Sequence, residues 1–574
     1  MKKDFSATTE LSNGKVLPFN DSVETYRKLT EERVKKDDLT GALSIALSGL
    51  NKKVTLEGLE DVATLYADLG LFSISNRYWF YYLSKAPKEK LGLCYEELGI
   101  NSFYLNDLTL LEYYFHKKYE LDGYISRDNL DPEIAEFFDE HSLSKKSLYR
   151  IVYPTEKADV KGLSKNLKKT LLVGDFGTAR RFLDAMPIDS DERKEGLKDL
   201  AVSYFLTGRE EKTIEANKEY LSLYGDDASV YCNLTEIYRI KGDLDKSGYY
   251  YQKAISTPVD DIDVYLKLAT CAFERGEHRL ASNYFEKAIK DDLFEIDVLT
   301  LYGLTLINSG EYQKAYDTFS KAYRLDPTDI DLKFYCKFTA SIIDGDREKE
   351  SYLPLSYSGE LPEKVMLERK NKINELSEFV KNKNVFRDQE ILDTLKWGIM
   401  DGDPVIAQQC ITILTSTDNS KGYEILSDFL IDERVNDKVK EAIVFVLVLS
   451  GEKNKISIAV RNFFTKVKIG RPVCSKSPDG ILFFVAYALA YSKLVSAGEE
   501  WLNKLLSISN KIYLKLKGKV HLGDFTREEI ATLSFYLLKL PFLSGEKEVC
   551  SIFHVKTDRL KILIDLYKGK QEND

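Results

Sequence analysis

Between residues 163 and 327, apolar residues recur three and four positions apart in short runs that glycines separate. This spacing places the large side chains on one stripe of an α-helix, so each run predicts an amphipathic helix and each pair of runs predicts a helical hairpin. One hairpin cannot bury its apolar stripe alone, so neighbouring hairpins must stack. The clearest hairpin pattern consists of Leu299, Tyr302, Gly303, Leu306, Gly310, Ala315, Phe319, Ala322 and Pro327.

Glycine returns every 34 residues at the turn of each predicted hairpin, at Gly174, Gly208, Gly242, Gly276 and Gly310. Because glycine accounts for only 32 of the 574 residues, this run is not expected by chance. Glycine tolerates the positive φ that ends the first helix of a hairpin. The pattern therefore predicts an all-α repeat protein.

These positions resemble the tetratricopeptide repeat family, whose unit is a helix with a Leu-Gly pair, a turn glycine, a second helix spaced Ala-x-x-x-Phe-x-x-Ala and a closing proline. The resemblance implies a right-handed α-solenoid of helical hairpins with a concave groove. It also implies a non-catalytic scaffold or adaptor that binds a peptide segment or helix of a partner protein there. Two earlier units share the phase through Tyr265, Leu268, Ala269, Ala272, Gly276, Ala281, Phe285 and Ala288, and through Tyr231, Leu234, Tyr238, Gly242, Tyr251 and Ala254.

The same reasoning divides the chain into six segments. Within the more degenerate N-terminal repeats, Asn106 stands in place of a turn glycine; asparagine tolerates positive φ next best. The period is lost after residue 123, and it ends again in a polar stretch after residue 343. The predicted segments are a polar tail (1–20), TPR-like repeats (21–123), a linker or packed loop (124–159), the main array of five units and a capping helix (160–343), a linker (344–363) and a helical C-terminal region (364–574).

The C-terminal region resembles HEAT-type repeats at two places. Residues 403–414 and 437–447 each begin with an aspartate that suits a helix cap and continue with an apolar face. Residues 463–482 contain basic residues, proline and glycine, so a short β excursion is expected to interrupt the helices there.

Superposing the family pattern on the main array predicts which side chains line the groove. The resemblance implies apolar anchors at Phe205, Phe273, Leu304 and Phe338, with Glu236 and Glu274 selecting basic residues of the partner. An acidic edge is expected from Glu195, Asp263, Glu274, Asp297 and Asp331. The predicted groove consists of Lys198, Val202, Phe205, Glu236, Arg239, Leu266, Thr270, Phe273, Glu274, Thr300, Leu304, Ile307, Phe334 and Phe338.

Composition narrows the class of protein. The net charge of -10 argues against nucleic acid as the main partner. Seven cysteines without a CxxC pair are typical of a reducing compartment, so a cytoplasmic protein is expected. We expect no membrane span, because the longest apolar run, 481–491, is about half the length that a span needs. Neither HExxH nor a glycine-rich phosphate loop occurs, so no enzyme, metal or cofactor is expected.

An alternative function comes from residues 549–563, which have helix-turn-helix spacing. Cys550 occupies the small position, Val555 follows the turn, and Leu560 and Leu563 are predicted core residues. In that alternative the repeats sense a peptide or partner, and the C-terminal hairpin contacts nucleic acid through Lys556, Arg559 and Lys561. The simpler interpretation is a terminal hairpin that closes the solenoid.

Overall fold

The computed structural model describes most of the chain and divides it into two compact units, Met1–Ala86 and Pro87–Asp574. Each unit is described by itself. The described residues are 22–105, 107–123, 134, 171, 176–289, 295–356, 361–378, 388–416, 420–450, 455–521, 523–541, 543 and 545–569. Gly174, Asn106, and almost all of the predicted 124–159 segment lie outside this set.

The first unit consists of two helical pairs. Side chains of Ser22, Asp38 and Thr55 accept hydrogen bonds from backbone N–H groups in the first turns of three of the helices, which caps them. The first helix packs on the second, the second on the third and the third on the fourth. The helices are α1 (Val23–Val34), α2 (Leu39–Lys52), α3 (Leu56–Asp68) and α4 (Phe72–Lys85).

The second unit continues with helical pairs, as the sequence predicts. A short 3-10 helix, Lys88–Lys90, precedes the first pair, and the main array follows. Its helices are α5 (Leu91–Tyr104), α6 (Leu108–Asp122), α7 (Phe176–Ala185), α8 (Asp191–Leu206), α9 (Glu210–Tyr224), α10 (Ala228–Ile240), α11 (Leu244–Ser256), α12 (Ile262–Glu274), α13 (His278–Ala288), α14 (Ile296–Asn308), α15 (Tyr312–Leu325) and α16 (Ile330–Ile343).

The turn glycines have the backbone conformation that their period predicts. Gly208, Gly242, Gly276 and Gly310 have φ of 69°, 76°, 74° and 81°, in the left-handed region. Each lies between the two helices of one pair, where a side chain would be strained. The prediction of in-phase hairpins is therefore confirmed at the four described turns.

Gly303 lets the two helices of its hairpin approach closely. A Cβ atom at this position would lie 2.5 Å from the ring of Phe319 on the second helix. The ring of Phe319 also stacks on Tyr335 of the next helix, with centroids 5.1 Å apart. Phe319 is fully buried, so it links three successive helices of the array.

Among the described residues of the C-terminal part of the second unit, one antiparallel hairpin interrupts the helices. Asp403 caps α19 through Val405 and Ile406, while Asn436 rather than Asp437 accepts the capping bond at α21. The elements are α17 (Glu363–Glu378), α18 (Gln389–Met400), α19 (Pro404–Ser416), α20 (Ser420–Ile431), α21 (Asp437–Ser450), β1 (Lys455–Val460), β2 (Phe463–Lys468), α22 (Pro478–Leu494), α23 (Glu499–Leu516), α24 (Arg527–Leu538), α25 (Glu546–Ile552) and α26 (Thr557–Lys568).

The β excursion begins earlier than the sequence predicts. Its second strand lies within the expected 463–482 range, but the first strand precedes it, and α22 already begins at residue 478. Arg461 and Asn462 form the two-residue turn with φ of 50° and 62°. Positive φ at both central residues matches the twist of paired strands.

The hairpin packs against α6, far away in the sequence. The hydroxyl of Tyr114 donates to the carbonyl of Asn462 and accepts the N–H of Phe464. The neighbouring Tyr113 donates to the carbonyl of Phe464 at 3.2 Å, and its ring meets the edge of Phe463. Two adjacent tyrosines of the first helical pair of this unit therefore hold the hairpin.

One helical stretch, Pro478–Ala497, is long and apolar enough to cross a membrane by length and composition. Most of it is buried inside the protein, and the core helix of a soluble protein passes the same test. Its Leu482, Phe483 and Ala486 belong to a core cluster with residues of α23 to α26.

Candidate functional site

The predicted groove residues lie on the first helices of successive hairpins, α8, α10, α12, α14 and α16. At intervals of 34 residues they fall into rows along these helices. The rows are Val202, Glu236, Thr270, Leu304 and Phe338; Phe205, Arg239, Phe273 and Ile307; and Leu266, Thr300 and Phe334.

The N-terminal part of this surface exposes large apolar side chains. Exposed fractions are 36% for Val202, 36% for Phe205, 50% for Leu206 and 50% for Ile240. We call these four residues of α8 and α10 the open face. Leu206 and Ile240 were missed in the sequence, although their separation of 34 residues was a usable signal.

Three of the four predicted apolar anchors are not available on the surface. Phe273, Leu304 and Phe338 are buried, and so is Ile307, so they cannot act as exposed anchors in this structure. Of the four predicted anchors, only Phe205 is exposed, so it alone presents contact atoms to a ligand, and its role as an anchor stays a prediction.

A segment that follows α16 accounts for part of this burial. Asn308, at the end of α14, donates from Nδ2 to the carbonyl of Leu355 and accepts the N–H of Leu355 at Oδ1, both at 2.8 Å. The ring of Tyr352 meets the ring of Phe338 on α16 edge-on, with centroids 6.0 Å apart. Leu355 is itself buried. Part of the predicted 344–363 linker thus lies on the predicted groove.

The remaining residues of the predicted groove are mostly half-buried or bonded to other residues of the chain. The hydroxyls of Thr270 and Thr300 donate to backbone carbonyls one turn earlier. Leu266 and Phe334 are half-buried, and Phe334 stacks on Phe338 at 5.6 Å. Lys198 forms an ion pair with Asp227 at 3.0 Å.

The charges beside the open face form a small network. Glu236 accepts two hydrogen bonds from Arg239, at 2.6 and 2.8 Å, and these bonds raise the pKa of Arg239. Glu274 lies 3.5 Å from the same guanidinium, and burial raises its pKa. Two carboxylates share one cation, which leaves one negative charge toward the groove.

The predicted acidic edge is only partly free. Glu195, Asp263 and Asp297 are exposed, and Glu195 is paired with Lys198 at 3.3 Å. Asp331 lies 3.6 Å from Arg369, and Glu274 belongs to the network above. Burial, followed by the carboxylates of Asp401 and Asp329, raises the pKa of Asp331 to about 7.

This shift predicts a pH-dependent stability. The pKa of an aspartate in an unfolded chain is about 3.9, so the folded protein binds the extra proton between pH 4 and 7. The stabilisation is complete below pH 4 and is lost as the pH rises through 7. Asp331→Asn should remove about 2–3 kcal/mol of the fall in unfolding free energy between pH 5 and 8, since each pH unit between 5 and 7 costs about 1.4 kcal/mol. Urea denaturation at several pH values measures it, with the exposed Asp263→Asn as control. Parallel pH profiles for the wild type and Asp331→Asn would contradict it.

Among the described residues, those that a metal site or a nucleic-acid surface would use are either far apart or bonded to other residues of the chain. Among the described residues, no three His, Cys, Asp or Glu side chains lie together as metal ligands. In the C-terminal hairpin, Cys550, Leu560 and Leu563 are buried, as predicted. Arg559 is bound by the carboxylate of Glu529 at 2.6 Å, so this cation of the suggested nucleic-acid surface already has an internal partner.

Comparison with known proteins gives a family match and distant structural neighbours. The tetratricopeptide repeat model matches residues 228–257 and 296–329. No curated protein matches the chain. Similar solved structures include YrrB, described as a TPR protein with an unusual peptide-binding site (18% identical, 30% of this chain and 86% of that chain, TM-score 0.25). Others are yeast Tom70 (15%, 75% and 89%, TM-score 0.22) and the APC/C hetero-tetramer Cut9-Hcn1 (11%, 94% and 96%, TM-score 0.23). At such TM-scores these neighbours give no argument about a ligand.

The family match covers α10 and α11, and then α14 and α15. The glycine period continues between and before these units, with a left-handed φ at each described turn. Together with the close approach at Gly303, these observations show that the chain contains tetratricopeptide repeats, at residues 228–257 and 296–329, within a longer array of helical hairpins.

Proposed function

We propose that the protein is a non-catalytic scaffold that binds an extended segment of a partner protein along the open face. The observation that supports this is the cluster of four exposed apolar side chains on α8 and α10, because an apolar patch on a protein surface often marks an interaction site. Val202, Phe205 and Leu206 lie on α8, and Ile240 lies at the position of α10 equivalent to Leu206, so a linear ligand that crosses the two helices meets both.

The spacing of the helices favours a particular ligand backbone. Packed helices lie about 8–10 Å apart. A polyproline II segment rises about 3.1 Å per residue with three residues per turn. Apolar side chains three positions apart on such a segment therefore share one face and match adjacent helices. Within the chain, Tyr352 and Leu355 also contact α16 and α14, respectively, but Lys349–Tyr352 is a 3-10 helix and not a polyproline II segment.

The charge network sets a second preference. Glu236, which shares Arg239 with Glu274, lies one helical turn before Ile240 on α10, so the surplus negative charge is next to this anchor. A basic residue next to the apolar anchors of the ligand would compensate that charge. The proposed partner segment is therefore proline-rich, carries an apolar residue at every third position and has a flanking lysine or arginine.

A peptide pair tests the proposal with the full chain. One labelled peptide repeats Leu-Pro-Pro three times with a terminal lysine, and the other has the same composition with its leucines placed together. We expect the first peptide to bind more tightly, and Phe205→Ser, Leu206→Ser and Ile240→Ser together to weaken it at least tenfold, since about 1 kcal/mol is lost per anchor. Fluorescence anisotropy measures both affinities.

A matched control uses apolar residues that are exposed on second helices. Leu223, Leu244 and Tyr249 are 40%, 67% and 59% exposed, comparable with the anchors, and replacing all three by serine should leave the affinity unchanged. Equal affinity for the two peptides, or an equal loss in both triple variants, would exclude the open face as the binding site.

A further inference from the structure

We propose that residues 349–355 are an internal ligand, and that the face they cover on α14 and α16 is a second peptide site. This site accepts a segment with a tyrosine three positions before a leucine. This second site is separate from the open face. The sequence of residues 349–355 describes the ligand that it accepts.

The leucine end of the segment is held by its backbone. The side-chain amide of Asn308 forms hydrogen bonds with both the N–H and the carbonyl of Leu355. Such bonds use backbone atoms only, so they do not depend on the side chain of the bound residue. Residues at the equivalent position of the other repeats, Leu206, Ile240 and Glu274, carry no amide group. This pair of hydrogen bonds to the backbone is therefore specific to α14.

The side chain of Leu355 supplies the apolar part of the contact. It is buried, and Leu304 lies one turn before Asn308 on the same face of α14. Leu304 and Ile307 are buried as well, in contrast to the exposed Val202 and Phe205 at the equivalent positions of α8. The rows of equivalent residues thus change from exposed to buried along the array, and the buried end is where the segment lies.

The tyrosine end is recognised by several groups. The ring of Tyr352 meets Phe338 edge-on, and the ammonium of Lys364 lies 4.8 Å from the ring centroid. The hydroxyl of Tyr352 donates to the carboxylate of Glu368 on α17 at 3.3 Å. Lys364 also donates to Ser351 at 3.4 Å. An aromatic ring with a hydroxyl donor fits these partners better than phenylalanine does.

The segment 349–355 is held at both ends, by Tyr352 and by Leu355, as a bound ligand would be. Because the segment belongs to the same chain, its local concentration at the site is high. A short flexible connection gives an effective concentration in the millimolar range, which masks the site from weak ligands. The apparent affinity for a free ligand falls by the fraction of molecules in which the segment is released. The site is therefore open only to a partner segment that binds better than 349–355.

The test uses a labelled peptide with the sequence of residues 347–356, REKESYLPLS, and full-length proteins. Tyr352→Ala with Leu355→Ala weakens the internal ligand, so we expect this double variant to bind the peptide at least tenfold more tightly than the wild type. Adding Asn308→Ala should reverse the gain at least tenfold. A peptide with alanine in place of its tyrosine and leucine serves as the control and should not bind.

Equal affinity of the wild type and the double variant, or equal affinity for both peptides, would overturn the proposal. A second measurement needs no variant: saturating peptide should accelerate hydrogen exchange in 349–355 of the wild type, and unchanged exchange would also overturn it. The result is separable from the open face, because Phe205, Leu206 and Ile240 take no part in this binding.

Discussion

Replacing Phe319 by alanine should lower the free energy of unfolding of the repeat array by about 3–5 kcal/mol, the cost of deleting a buried aromatic ring. The ring is fully buried, lies against Gly303 in its own hairpin and stacks on Tyr335 of the next helix. Its loss leaves a cavity where three helices meet. Urea denaturation followed by circular dichroism measures the change, and hydrogen exchange should locate it in α14 to α16.

The same substitution at Phe182, which is exposed on α7, is the matched control and should change stability by less than about 1 kcal/mol. Gly303→Ala alone should destabilise by about 1–3 kcal/mol, because the new methyl group collides with the ring. With Phe319→Ala already present, the methyl group enters the cavity instead, so the two costs should not add. Additive costs would show that the two residues are not in contact.

The sequence predicts the hairpins well because each depends on local interactions. A glycine at the turns of the main array and a small residue opposite an aromatic ring are short-range requirements, so they leave a periodic trace. Gly208 to Gly310 therefore fall at turns, and Ala315, Phe319 and Ala322 are buried as expected. The helical nature of the C-terminal region follows from the same periodicity.

The sequence does not predict that part of the groove is covered, because the contact that covers it joins segments from different parts of the chain. Family superposition places Leu304 and Phe338 on the inner surface, but it cannot show that Tyr352 and Leu355 lie there. The polar composition of 344–363 indicates a linker, and only the spacing of Tyr352 and Leu355 hints at a ligand. The domain boundaries and the cytoplasmic location stay predictions.

The β hairpin illustrates a second limit. Its turn consists of Arg461 and Asn462, which lack the glycine that most two-residue turns of this type contain. The first strand, Lys455–Val460, was therefore not predicted, although the alternation of polar and apolar residues over 455–458 is typical of a strand. Its partner on α6 lies 348 positions away, beyond the reach of any periodic argument.

That distant contact makes the last prediction. Tyr114→Phe keeps the buried ring of α6 and removes only its hydroxyl, which leaves the carbonyl of Asn462 and the N–H of Phe464 without this partner. Buried polar groups without a partner cost about 1–3 kcal/mol each, so the free energy of unfolding should fall by about 2–4 kcal/mol. Hydrogen exchange in 455–468 should accelerate at least tenfold. Tyr119→Phe, at an exposed position of the same helix, should change neither quantity. Unchanged exchange in the Tyr114 variant would mean that the hairpin is held by its own ladder, since only the contact with α6 depends on that hydroxyl.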